Sequence, residues 1–218
     1  MFFNPLFGSR VVHILYQRSL EDSANYAEQH MKNALLFWDD DHKIEMYHYA
    51  VKQISIEGRI AEFGVWKGKS IEIIAKMLPD KIIYGFDSFT GLQEDWLGWE
   101  YYQGWFDVQG ELPQLEVLNV EFVKGYFDES LPKWLEDKPE PFSLINIDCD
   151  TYNATKTVLD NLGPSRIVSG TVILFDEYFG YPSWREHEHK AWTEFAKENG
   201  IAYEYKAINH MQVLVKVL

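Results

Sequence analysis

Residues 59–70 read Arg59-Ile60-Ala61-Glu62-Phe63-Gly64-Val65-Trp66-Lys67-Gly68-Lys69-Ser70. Ile60, Ala61, Phe63 and Val65 form an apolar run of the kind that makes a buried strand. Gly64 and Gly68 permit a tight turn and close approach of a ligand to the backbone, because neither carries a Cβ. A helix is then expected from Ser70 to Leu78. Its free N–H groups and positive dipole end point into the crevice that the turn lines. Glu62 lies at the end of the strand. A strand, a glycine turn and a helix in this order make a nucleotide-type site at the mouth of a parallel sheet.

A dinucleotide fingerprint would read G-x-G-x-x-G. The spacing here is E-x-G-x-x-x-G-x-S, from Glu62 to Ser70. It resembles motif I of class I S-adenosylmethionine-dependent methyltransferases. An acid at the turn suits the ammonium and sulfonium of that cofactor better than it suits a pyrophosphate. The next apolar run, KIIYGFDSF, ends in Asp87, where an acid can accept both ribose hydroxyls.

Working outward, the bulk properties narrow the class. A chain of 218 residues suits one domain with a sizeable core. Its 46% hydrophobic and 16% aromatic content fits a globular protein. The single cysteine, Cys149, rules out an internal disulfide and suits a reducing cytoplasm. There is no run of 18 apolar residues, so no membrane span is expected. The apolar start MFFNPLFGSRVV lacks a basic region, and Asn4-Pro5 interrupts it too early for a signal peptide. A net charge of -14 repels polyanions, which argues against nucleic acid and anionic membranes as partners.

In chain order, residues 1 to about 20 show scattered apolar residues without period and are expected to form an arm that packs on this chain or makes a homo-oligomer. Residues 21–38 and 42–55 read as helices. The Asp39-Asp40-Asp41 triple between them fits solvated helix caps better than a metal site. Together, residues 1–57 are expected to be an N-terminal arm and helical cap, and 58–218 one compact Rossmann-like catalytic unit. Strands are expected near 59–64, 82–87, 119–124, 143–148, 171–176, 201–206 and 211–217. Helices are expected near 69–78, 130–137, 152–162 and 186–199. This alternation predicts an α/β fold with a seven-stranded, mostly parallel sheet covered on both faces. The short connection at residues 207–210 makes the last strand antiparallel. Residues 89–110 hold three Trp, two Tyr and two Phe among glycines and acids. They read either as a lid that stacks on a substrate or as a loop that buries its aromatics against the body.

The stretch SLINIDCDTY ends an apolar strand at Asp148, with Asp150 two residues on, and TVILFDEYFG ends another at Asp176-Glu177. On neighbouring parallel strands these carboxylates converge at one sheet edge and raise one another's pKa. A divalent cation relieves the repulsion, and an all-oxygen set suits Mg²⁺ or Mn²⁺. Asp148, Asp176 and Glu177 are the candidate ligands. Asp150 fits a cap for the helix that begins near Tyr152.

The blocks EFGVWKGKS, GFDSFTGL, IDCDTY and FDEY, in that order, are similar to those of the TylF/macrocin O-methyltransferase family. The likeness runs from about Glu57 to Phe195. It implies a class I methyltransferase fold, S-adenosyl-L-methionine as cofactor, Mg²⁺, and a sugar hydroxyl of a natural product as acceptor. The family usually shows two aspartates where this chain has Asp176-Glu177. The 28-residue separation of Asp148 from Asp176 is also similar to that of catechol-type O-methyltransferases. On this reading Glu62, Phe63, Gly64, Gly68, Ser70, Asp87 and Asp148 serve the cofactor. Ser88 and Phe89 lie beside its adenine, and the likeness adds Gly125, Tyr126 and Phe127. Asp148 or a histidine among His187, His189 and His210 takes the acceptor proton, with His189 the histidine chosen. Three other readings stay open: a metal-independent methyltransferase, a cofactor-binding scaffold without turnover, and an NAD-dependent oxidoreductase. The absent G-x-G-x-x-G weighs against the last.

Overall fold

A computed structural model describes residues 5–38 and 43–218, with residues 5–9 as backbone only. The Asp39-Asp40-Asp41 triple lies outside the described residues. The elements are α1 (Pro5–His30), β1 (Leu35–Leu36), α2 (Ile44–Gln53), β2 (Arg59–Phe63), α3 (Lys69–Met77), β3 (Ile83–Asp87), β4 (Val120–Lys124), α4 (Phe127–Leu135), β5 (Phe142–Ile147), α5 (Tyr152–Arg166), β6 (Val172–Phe175), a 3₁₀ turn (Trp184–Glu186), α6 (Glu188–Glu198), β7 (Tyr203–Ile208) and β8 (Val213–Val217).

The strands make one sheet in the order β1-β7-β8-β6-β5-β2-β3-β4. Strand β8 runs antiparallel to both of its neighbours, and every other pair is parallel. The sheet thus has the expected mixed α/β form, with eight strands among the described residues where the sequence suggests seven. The added strand is β1, in which Leu35 and Leu36 pair with Ala207 and Ile208. The apolar run from Leu35 to Trp38 reads locally as more helix, but pairing with the exposed edge of β7 captures it instead.

Side-chain alternation along the strands divides the interior into two cores. Ala61, Phe63, Ile145, Ile147 and Phe175 face one side and pack with Leu131, Val158, Leu162, Trp192 and Phe195 of α4, α5 and α6. Ile60, Ile83, Leu144, Val172 and Leu174 face the other and pack with Met46, Ala50, Ile71 and Ile74 of α2 and α3. Helices therefore cover both faces, as the near-continuous apolar strands imply.

The N-terminal region departs from its sequence reading. Residues 5–30 form one long helix, where an irregular arm and a helix starting at residue 21 are expected. No apolar stripe marks this helix, because much of it faces solvent: Val11, Val12, Ile14 and Leu15 are exposed. Its C-terminal half is tied to the body. Asp22 accepts both arms of the Arg185 guanidinium at 2.8 and 3.0 Å, and the Gly180 N–H donates to Ser23 Oγ at 2.9 Å. Helix α4 begins at Phe127, three residues before its expected start, with Asp128 and Glu129 in its first turn. Among the described residues no helix is long and apolar enough to cross a membrane.

Candidate active site

The chain reverses its direction of travel across the sheet at β2, whose neighbours are β5 and β3. A crevice at the carboxyl ends of the strands forms at such a switch point. Here it is a cavity of about 840 Å³.

The glycine turn is built under it. The Gly64 N–H donates to the Phe86 carbonyl at 2.9 Å, and its φ of 90° lies in the left-handed region. A Cβ at Gly64 would stand 1.6 Å from the Asp148 carbonyl oxygen, so only glycine fits between β2 and the end of β5. Asp87 secures the turn from β3. Its Oδ2 accepts the Val65 and Trp66 N–H groups at 2.7 and 2.8 Å, and its Oδ1 accepts the Phe89 N–H at 2.7 Å.

Glu62 sits beneath the turn and is fully buried. Ser70 Oγ donates to its Oε1 at 2.8 Å and Asn146 Nδ2 to its Oε2 at 2.9 Å. Burial pushes its carboxyl up to about 8, against the pull of these two hydrogen bonds. The acid therefore clamps β2, β5 and α3 together and does not line the cavity.

The acidic set gathers on the other side. Asp148, Asp176 and Glu177 each offer an oxygen, and the three lie within 4.8 Å of one another. The Asp148 N–H donates to the Phe63 carbonyl and the Asp176 N–H to the Ile147 carbonyl, which staples the ends of β2, β5 and β6 side by side. Burial, and then the neighbouring Asp176 charge, drive Asp148 and Glu177 well above the usual carboxylate range. Asp176 stays low: burial opposes ionisation, but the Lys43 ammonium and hydrogen bonds from Glu177, Lys43 and Gln212 outweigh it. Among the described residues Glu177 Oε2 is buried without a hydrogen-bond partner. Three converging carboxylates with an orphaned oxygen suit a hard divalent cation.

Of the residues chosen from sequence, Gly64, Ser70, Asp87, Ser88, Gly125, Tyr126, Phe127, Asp148, Asp176 and Glu177 all line this one cavity. Five do not. Glu62 lies beneath the floor. Phe63 stacks on Phe86 in the core, with ring centroids 4.8 Å apart. Gly68 turns toward Pro113 and Leu115. Phe89 is buried edge-on to Phe122. His189 is a correction: it is buried among Tyr26, Tyr178 and Trp184, and both ring nitrogens lack partners among the described residues. Burial, followed by the Arg185 charge, lowers it to about 4, and it is not among the residues that line the cavity. His187 donates from Nε2 to the Leu97 carbonyl at 2.8 Å, and His210 is exposed. Asp150 is likewise not the helix cap. Thr151 is, with Oγ1 accepting from the Ala154 N–H at 3.5 Å. Asp150 has a φ of 65° and lines the cavity, its carboxyl pushed up to about 8 by burial and by Asp176.

The sequence reading missed Lys43, Tyr47, Trp66 and Met211, which also line the cavity. Trp66 carried a local signal, since it lies within the glycine turn. The other three arrive from distant parts of the chain. Glu188 was missed too: it is fully buried behind the acids, and its Oε2 accepts the Glu177 N–H at 3.1 Å.

Residues 89–110 bury part of their aromatic set against the body and present other members to the cavity. Trp96 is buried edge-on to Tyr181, and Trp99 stacks on Tyr181 at 5.7 Å, which anchors the segment. Leu92, Trp96, Trp99, Tyr101 and Phe106 also wall the cavity.

Residues 42–216 match the family described as Macrocin-O-methyltransferase (TylF). The chain belongs to this family. A curated relative, the demethyldecarbamoylnovobiocin O-methyltransferase of Streptomyces niveus, is 25% identical over 169 residues, covering 66% of this chain. The chain spans about 62% of that relative's length. Among solved structures, the calicheamicin methyltransferase CalS11 superposes with a TM-score of 0.66 at 21% identity, covering 99% of this chain and 94% of that one. An O-methyltransferase from Bacillus cereus, in complex with SAH, gives 0.54 at 16% identity, covering 94% and 90%. At these identities the structural likeness fixes the fold, and the range of the family match includes the glycine turn and the acidic strand ends.

Proposed function

We propose that this chain is an S-adenosyl-L-methionine-dependent O-methyltransferase, assisted by Mg²⁺ or Mn²⁺, that methylates a hydroxyl of a sugar or other small hydroxylated metabolite. The observation that carries this reading is the meeting of two sets of residues in one cavity. The glycine turn with Asp87 forms one wall, and Asp148, Asp176 and Glu177 form the other. Family membership supports the reaction class.

In this reading Gly64 leaves the backbone open to the cofactor's methionine end. Asp87 Oδ1, which accepts one N–H, retains a lone pair for a ribose hydroxyl. Ser88 and Tyr126 flank the adenine side. Glu62 acts from below by fixing Ser70 and Asn146. The cofactor supplies an activated methyl, and a bound divalent ion would lower the pKa of the acceptor hydroxyl. Asp148, Asp176 and Glu177 would hold that ion. Asp148 faces the cavity and is the group placed to take the acceptor proton. The aromatic wall of Trp66, Trp99, Tyr101 and Phe106 orients the acceptor by stacking.

The N-terminal segment acts as a cap, and the exposed apolar residues of α1 support packing against a second copy of the chain. The single cysteine and the acidic surface suit a cytoplasmic protein that acts on small molecules.

The deciding experiment is calorimetric titration with S-adenosylmethionine and S-adenosylhomocysteine, with Mg²⁺ and with EDTA. Micromolar binding of both is expected, followed by metal-dependent turnover in a screen of hydroxylated sugars and catechols. Turnover that survives EDTA would favour the metal-independent reading. Binding of neither cofactor form would return the chain to the scaffold reading.

A further inference from the structure

The acidic cluster already contains a cation of the chain's own. Lys43, which directly precedes α2, places its ammonium on Asp176 Oδ2. It reaches there from a backbone φ of 55° and ψ of 10°, a left-handed conformation that side chains other than glycine and asparagine seldom adopt. The Lys43 side chain makes no capping hydrogen bond to this end of the helix, so a capping role of its own does not account for the conformation. Strained residues of this kind persist where surrounding contacts hold them, and they concentrate at functional sites. The contact that holds Lys43 is the ion pair, which spans 133 residues of sequence. The next turn of α2 brings Tyr47, buried and facing the same carboxylates.

Lys43 alone does not serve the whole cluster. One ammonium meets Asp148, Asp176 and Glu177, with Asp150 close by. Glu177, nine-tenths buried, still has no partner for its Oε2 among the described residues. Asp176 is the member that the ammonium and a bound ion would both use.

We propose that Lys43 is a tethered counter-ion that competes with a divalent cation for Asp176. The ammonium holds Asp176 and the first turn of α2 in the metal-free chain, and metal loading displaces it into the cavity. This rests on the reading of Asp148, Asp176 and Glu177 as a cation site. Lys43 is then a positioning residue, acting through Asp176.

The test uses Mn²⁺ alone, titrated into the full chain by calorimetry, with wild type, Lys43→Met and Lys43→Arg compared. Removing a competing charge a few ångströms from the site should tighten Mn²⁺ binding on the order of tenfold in Lys43→Met. Lys43→Arg should restore the wild-type affinity. A merely structural lysine would give weaker binding when lost. In parallel, an amine-reactive label read by mass spectrometry should modify Lys43 slowly in metal-free wild type and faster once Mn²⁺ is added. That readout serves even if Lys43→Met fails to fold. Equal Mn²⁺ affinities with unchanged Lys43 labelling would overturn the competition while leaving the cation site standing. No Mn²⁺ binding by either wild type or Lys43→Met would overturn the cation site, and the competition with it.

Discussion

Ser70 Oγ, at the start of α3, donates to Glu62 Oε1 on β2 at 2.8 Å, so the acid of the glycine motif points inward and not at a ligand. Its carboxyl is pushed up to about 8 from an ordinary 4.5, by burial above all. The folded chain thus binds this proton more tightly than the unfolded one. Its contribution to stability is fully present below pH 4.5 and is lost as pH rises to about 8. Glu62→Gln removes that loss, which is on the order of a few kcal/mol at most. Thermal unfolding at pH 5 and pH 8 should show a smaller drop for the variant than for wild type. An identical drop would mean that Glu62 is ionised at both pH values.

Gly64→Ala tests the packing of the turn against β5. Its Cβ would stand 1.6 Å from a backbone oxygen of Asp148, which no rotamer change can relieve. The expected cost is about 4 kcal/mol or more, the range in which a domain fails to fold. Gly104→Ala is the control. Its φ of 85° is also left-handed, but a Cβ there meets nothing within 4 Å. That variant should lose only about 1 kcal/mol from backbone strain. Similar melting curves for the two variants would contradict the close approach.

Asp87→Ala should act twice. It leaves the N–H groups of Val65, Trp66 and Phe89 without their acceptor, and it removes the candidate ribose partner. S-adenosylhomocysteine affinity should fall by roughly 1–3 kcal/mol, together with a lower Tm. A lower Tm with unchanged affinity would confine Asp87 to shaping the turn.

These residues also mark what a sequence can and cannot disclose. The glycine turn, Asp87 and the acids at the ends of β5 and β6 were legible because each is a local pattern: an apolar run followed by a fixed residue type. The direction of Glu62 was not, because it depends on Asn146 pairing opposite it across two strands. Lys43 was invisible for the same reason, since nothing near residue 43 announces a carboxylate 133 residues away. Asp150, just before the helix, reads as its cap, but Thr151, one residue later, fills that position. Helix α1 was missed from Pro5 to Leu20 because a solvent-exposed helix needs no apolar stripe to betray it.

Asp148→Asn separates binding from transfer. The change keeps the shape of the side chain but removes both its charge and its capacity to accept a proton. Turnover should fall by about 10²–10⁴-fold, the usual contribution of a positioned base. S-adenosylhomocysteine affinity should change little, because Gly64, Asp87 and Tyr126 remain. Retained turnover in a variant that binds cofactor normally would remove Asp148 from the chemistry.

Trp66 tests the aromatic wall. It lies at the cavity mouth, 43% exposed, with its ring edge-on to Phe106 at 5.3 Å. So exposed a side chain contributes little to the core, and Trp66→Ala should fold and melt within a few degrees of wild type. Trp99 would be a poorer choice, because its stack on Tyr181 anchors the whole segment. If the wall orients the acceptor by stacking, loss of the indole should raise the acceptor KM about tenfold, with kcat within about threefold. An unchanged KM would remove Trp66 from acceptor binding. A fall in kcat at constant KM would instead place Trp66 against the transferring methyl, where it would help to exclude water from the reacting atoms.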